Sequence, residues 1–95
     1  MAITVGLLRV DLFISDGLTL KDKRRVVNSL LDRLHDRFNV SAAEVEALDQ
    51  KQRGVLAVAC VANEAAQVSR VLDAALRLVE AEPRAVVEDC SVELW

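Results

Sequence analysis

Apolar residues recur at every second position from Ile3 to Ile14, and this stretch reads as a strand. Its phase shifts partway: Ile3, Val5 and Leu7 share one register, then Leu8, Val10, Leu12 and Ile14 share the other. A β-bulge near Leu7–Leu8 accounts for the shift, as does a strand apolar on both faces. Ser15, Asp16 and Gly17 form a turn signal. From Leu20 to Phe38 the spacing becomes helical, with Leu20, Val27, Leu30, Leu31, Leu34 and Phe38 on one stripe. Thr19, with Asp22 three positions on, is a short-acid capping box that sets the helix start, and Asn39 suits a left-handed residue at its end.

Val40–Leu48 reads as a weaker, Ala-rich edge strand carrying Glu44 and Glu46, followed by the polar connection Asp49–Gly54. Val55–Ala62 is apolar throughout, as a central strand covered on both faces is. Asn63 is a good N-cap for a second helix from Glu64 to about Ala81, whose stripe is Val68, Val71, Leu72, Ala75, Leu76 and Val79. Pro83 prevents its continuation. Val86–Leu94 alternates again, with Val86, Cys90, Val92 and Leu94 on one face and Asp89, Ser91 and Glu93 on the other. The order βαββαβ predicts an α+β, ferredoxin-like sandwich: a four-stranded antiparallel sheet with two helices on one face. The strands would lie in the order fourth, first, third, second. Composition agrees, because the two strands placed centrally are the richest in apolar residues and the two edges carry the acids.

At 95 residues and 53% apolar content, the chain has the size and core of one ferredoxin-like domain spanning 1–95. Twelve basic residues against 15 acidic give a net charge of −3, which argues against nucleic-acid binding by bulk positive charge but leaves room for a local patch. No apolar run reaches the length of a membrane span, and Met1–Gly6 does not resemble a signal sequence. A cytoplasmic location is expected, with no membrane partner.

Catalytic material is scarce. The topology separates the strands of Cys60 and Cys90 by one strand, about 10 Å against the roughly 7 Å limit for a disulfide. Both read as reduced, buried, small apolar residues, and no CxxC or Cys/His spacing suggests a metal. His35 lies near the end of the first helix on its polar side, a solvated position without a ligating neighbour. No GxSxG, P-loop or GxGxxG is found, so no catalytic residue, cofactor or metal ligand is assigned and an enzyme is disfavoured.

The run Lys21-Asp22-Lys23-Arg24-Arg25 is the informative feature. Four bases there oppose the positive end of the helix dipole, and Lys21 and Arg25 form a like-charge pair at i, i+4. Lys23 falls on the apolar stripe by angle and is expected to emerge at the core rim. One reading is a solvated helix start with Asp16, Asp22 and Asn28 as local partners. The other follows from topology, which gathers Lys21, Lys23, Arg24, Arg25, Lys51, Arg53 and Arg84, seven of the twelve bases, at one end of the domain. Helix-start amides, the Gly17 turn and clustered arginines suit an anion such as a phosphate group. Asp49, Glu80 and Glu82 lie at the same end and can neutralise it.

A second surface is the sheet face without helices, where Val55, Ala57, Ala59 and Val61, or their alternates, must point. Phe13, Phe38 and Trp95 are too few for base stacking, and Asp89 and Glu93 fall on that face, so self-association explains it better than nucleic acid. A loosely covered monomer with small Ala side chains is the alternative.

Thr19-Leu-Lys-Asp-Lys-Arg-Arg25, Leu30-Leu-Asp-Arg-Leu34, Arg37-Phe-Asn-Val-Ser41 and Ala43-Glu-Val45 resemble the YlxP-like family of small bacterial proteins, a domain of unknown function. The family pattern is similar to S-L-K-x-K-R followed by R-F-N-V-S-x-A-E-V, and the likeness continues through Ala62-Asn63 to the last strand. Thr19 and Asp22 stand where Ser and Glu are commoner, which keeps the capping chemistry. The resemblance implies a ferredoxin-like fold, a cytoplasmic bacterial protein and no established activity. Its gene neighbours, termination and translation-initiation factors, suggest a role near RNA or ribosome assembly. No catalytic residue carries over, but Lys21, Lys23, Arg24 and Arg25 match its motif. Three expectations follow: a non-catalytic module contacting RNA or a ribonucleoprotein through the basic end, a regulatory domain holding a small anionic ligand there, or a structural homo-oligomer joined through the open sheet face.

Overall fold

A computed structural model describes every residue except Met1 and Asp16, so an Asp16 contact to the basic run lies outside the described residues. The elements are β1 (Thr4–Ile14), α1 (Leu20–Arg37), β2 (Ser41–Glu46), β3 (Arg53–Ala62), α2 (Ala65–Glu80) and β4 (Ala85–Leu94). The sheet is antiparallel in the order β2-β3-β1-β4, the ferredoxin-like arrangement that the alternation of periods predicts.

β1 keeps one phase along its length. Leu8, Val10, Leu12 and Ile14 are fully buried beneath the helices, and Val5 and Phe13 on the opposite face are exposed. There is no bulge at Leu7–Leu8; the strand is apolar on both faces in its first half. The irregularity falls instead between Asp11 and Leu12 in the pairing with β4, where Glu88 is left over. That extra residue moves Val86 onto the open face, opposite Phe13, with Asp89, Ser91 and Glu93. The grouping of Val86 with Cys90, Val92 and Leu94 is corrected accordingly.

Thr19 caps α1 through a complete capping box: the Asp22 amide donates to Thr19 Oγ1 and the Thr19 amide to Asp22 Oδ2, each at 3.1 Å. The other end differs from expectation. Phe38 is an extended C-cap, and among the described residues the non-glycine residue with positive φ is Ala47, at 60°, not Asn39. α2 begins one residue later than the Asn63 cap requires; Glu64 is its N-cap and makes no side-chain cap bond. α2 also buries Leu78, which the stripe omitted, because the helix sits in the angle between β1, β3 and β4. Gly6 admits this helix: a Cβ there would collide with Val68 and Leu72.

Cys60 is buried and Cys90 exposed, both as free thiols. The burial expected of Cys90 fails because β4 is an edge strand that α2 covers only in part; Val92 and Leu94 beside it remain 48% and 44% exposed.

Candidate functional site

Backbone contacts tie three connections together at the start of α1. The Ile14 amide donates to the Gln52 carbonyl at 2.8 Å, and the Ser15 amide to the Arg84 carbonyl at 3.2 Å. Gly17 packs so closely on the Lys51 carbonyl that any Cβ would overlap it. The topology therefore brings the loops of all seven basic candidates to one end, but their side chains divide into two classes.

Lys23, Arg53 and Arg84 serve the protein itself. Lys23 does not reach the rim; it is fully buried. Its ammonium donates to the Ala47 carbonyl at 2.7 Å, the Arg53 carbonyl at 3.2 Å and the Leu48 carbonyl at 3.4 Å. Glu44 Oε2 lies 2.7 Å away, off the hydrogen-bonding direction, so that contact is ionic. No donor is left for an external anion. Arg53 faces the open side of the sheet and forks onto both oxygens of Asp11, at 3.1 and 2.8 Å. The hydrogen bonds from Arg53 hold the Asp11 carboxyl below its ordinary pKa.

Arg84 closes on Glu82, whose side chain is 3% exposed, through Nε at 3.0 Å, Nη2 at 2.8 Å and its own backbone amide at 3.0 Å. Arg33 of α1 adds a contact of 2.7 Å to the same carboxylate. The Arg84 hydrogen bonds, with Arg33 behind them, lower the Glu82 pKa to about 2. The sequence placed Glu82 near the basic end, but the part of Arg33, which couples α1 to the α2–β4 turn across 49 residues, has no local signal.

Lys21, Arg24, Arg25 and Lys51 form the second class. All four are exposed, and among the described residues none has a hydrogen bond or ion pair. The local partner expected of Asp22 is engaged elsewhere, because its carboxylate turns back to the Thr19 amide. Three of the four cations lie within five residues of α1, about 6 Å of axial rise, at the positive end of the helix dipole.

Two concavities lie away from these cations, at the opposite end: one of about 340 Å³ lined by Val5, Asn39, Val40, Ser41, Ala59, Cys60 and Val61, and one of about 200 Å³ between Arg37, Phe38, Gln67 and Val71. Burial raises the Cys60 thiol pKa, so a reactive thiolate is not favoured there. Among the described residues no cluster of His, Cys, Asp and Glu is suited to a metal.

The open sheet face carries Val5, Leu7, Ala57, Ala59 and Val61 at one end and charged pairs at the other. Arg9 on β1 crosses β3 to reach Glu46 at 2.6 Å, and Val55, flanked by Glu46 and Asp11, is fully buried there. Uncovered apolar surface stands at both ends of this face: Val5 and Val61, 39% and 61% exposed, at one, and the paired Phe13 and Val86, 37% and 56% exposed, at the other. Among the described residues no helix is long and apolar enough to cross a membrane.

Comparison with known proteins adds a family and a fold. A profile of the family described as "Protein of unknown function (DUF503)" matches residues 5–92. The uncharacterized protein YlxP of Bacillus subtilis (strain 168) is 30% identical over 79 residues, covering 83% of this chain and 86% of that protein. Among solved structures, the de novo designed protein Foldit4 aligns at a TM-score of 0.57 and 13% identity, covering 98% and 96% of the two chains. LarC2, the C-terminal domain of a cyclometallase involved in synthesis of the NPN cofactor of lactate racemase, aligns at 0.51 and 11% identity, with 97% of this chain over 54% of that one. A designed protein and part of a cyclometallase share this shape, so the shape carries no activity.

Proposed function

The chain belongs to the DUF503 family of proteins of unknown function, and from that premise we propose that it is a non-catalytic binding module that contacts RNA, or a ribonucleoprotein, through Lys21, Arg24, Arg25 and Lys51. The observation that carries this reading is that these four exposed cations have no counter-charge among the described residues, whereas the other three of the cluster do. Exposed on the surface, the four suit a phosphate backbone running over it. The scarcity of aromatics points to backbone contact without base stacking. A cytoplasmic setting fits the free Cys60 and Cys90 thiols.

The test is RNA binding as a function of salt. Four phosphate contacts give a slope of log K against log salt of about −3 on single strands, and Lys21→Gln with Arg25→Gln should roughly halve it. Salt-insensitive binding, or no loss in the double variant, would overturn the reading. A second reading, a homo-oligomer joined through the open sheet face, is favoured by one observation: Val5 and Val61 stand exposed beside the small side chains of Ala57 and Ala59.

A further inference from the structure

The two edges of the sheet are treated differently. On β2 the Ala42 amide donates to Nε2 of His35 at 3.1 Å, so a side chain from α1 occupies that edge. On β4 nothing comparable is seen among the described residues, although this strand is ten residues long against six for β2. Val5 and Trp95 exchange both of their backbone hydrogen bonds, at 3.0 and 2.8 Å. Alternation along an antiparallel ladder then turns Ser91 and Glu93 toward β1, and the N–H and C=O of Cys90, Val92 and Leu94 outward. An unprotected edge of this length is a template for another strand.

The side chains along it state what strand would fit. On the helix face Cys90, Val92 and Leu94 form an apolar shelf past the cover of α2, all three exposed. On the open face Asp89 and Glu93 are exposed, with Glu88 at the bulge, and none has an ion pair among the described residues. The arginines of that face, Arg9 and Arg53, are already held by Glu46 and Asp11.

We propose that the Asp89–Leu94 edge of β4 takes a fifth strand from a partner polypeptide whose extended segment alternates basic and apolar side chains. The backbone groups of Cys90, Val92 and Leu94 supply the pairing, the shelf receives the apolar side chains, and the Asp89–Glu93 row receives the basic ones. A second copy is the wrong occupant: two-fold antiparallel pairing sets two acidic rows side by side on one face.

The probes are two short synthetic peptides, one alternating Lys and Val, the other Glu and Val. The full chain should bind the basic peptide at least tenfold more tightly. Amide exchange at Cys90, Val92 and Leu94 should slow on binding, with Ala42 unchanged. Val92→Pro removes one outward N–H and no bond to β1, and should abolish binding. If that variant does not fold, Asp89→Lys with Glu93→Lys still decides, because it should reverse the preference toward the acidic peptide. Lys21→Gln with Arg25→Gln should leave peptide binding unchanged, which separates this surface from the RNA reading. Equal or absent binding of both peptides, or protection of these amides in the free protein by self-pairing, would overturn the proposal.

Discussion

Replacing Lys23 by Met should destabilise the protein by about 3 kcal/mol, because the substitution removes one partner of a buried charge pair. Glu44 lies 2.7 Å from the lost ammonium with its side chain only 14% exposed, and a carboxylate so placed has little water to replace its counter-ion. The Ala47, Leu48 and Arg53 carbonyls lose a shared donor as well. Breaking one side of a buried pair costs about 3–5 kcal/mol, and the partial exposure of Glu44 puts this case at the low end. For 95 residues, total stability of about 5–14 kcal/mol makes that a large share. Urea unfolding followed by far-ultraviolet circular dichroism measures it, provided the slope with denaturant is unchanged. The double variant Lys23→Met, Glu44→Leu should recover at least half the loss, since no orphaned charge remains. A cost below about 1 kcal/mol, or additive single costs, would refute the assignment of Lys23 to the core.

Three further outcomes follow from the geometry. Glu82, whose pKa is lowered from 4.5 to about 2, stabilises the fold fully above pH 4.5 and loses that contribution as pH falls toward 2, a ceiling of roughly 3 kcal/mol that Glu82→Gln should abolish in an acid titration of stability. Ala47→Gly should raise stability by about 0.5 kcal/mol in thermal unfolding, because alanine at φ 60° carries left-handed strain that glycine lacks. If the open face joins two copies, Val61→Arg should yield a monomer by light scattering with its helix content intact; a parent that is already monomeric at tens of micromolar would sink that reading.

What was legible in the sequence was what short-range spacing encodes. The Thr19–Asp22 cap, the α1 stripe and the order of six elements all rest on contacts within about four residues or on period alone. Misplaced features depend on tertiary neighbours. Glu88 becomes a bulge only against Asp11 and Leu12, and Cys90 is exposed because α2 covers β4 only in part. The basic end divides in the same way. That Lys21, Arg24 and Arg25 lack partners among the described residues is written in α1, where the only acid three or four residues away is Asp22, which the cap engages. That Lys23, Arg53 and Arg84 have partners needs Glu44, Asp11 and Glu82, which are 21, 42 and 2 residues away and are brought close by the sheet and the α2–β4 turn.

This division gives the unpaired cations a thermodynamic signature. Held together at the positive end of α1, they raise the free energy of the folded, unliganded protein by a few tenths of a kcal/mol each, so removing Lys21 and Arg25 should leave it equally or slightly more stable. A polyanion reverses the sign, because it binds the folded state and supplies the counter-charge. At a hundredfold excess over its Kd it should stabilise the parent by about 2.7 kcal/mol. The double Gln variant should gain much less at the same RNA concentration, so the stability curves of parent and variant cross as RNA is added. A purely structural role for Lys21 and Arg25 produces no crossing: the variant is then weaker with and without RNA, by the same amount.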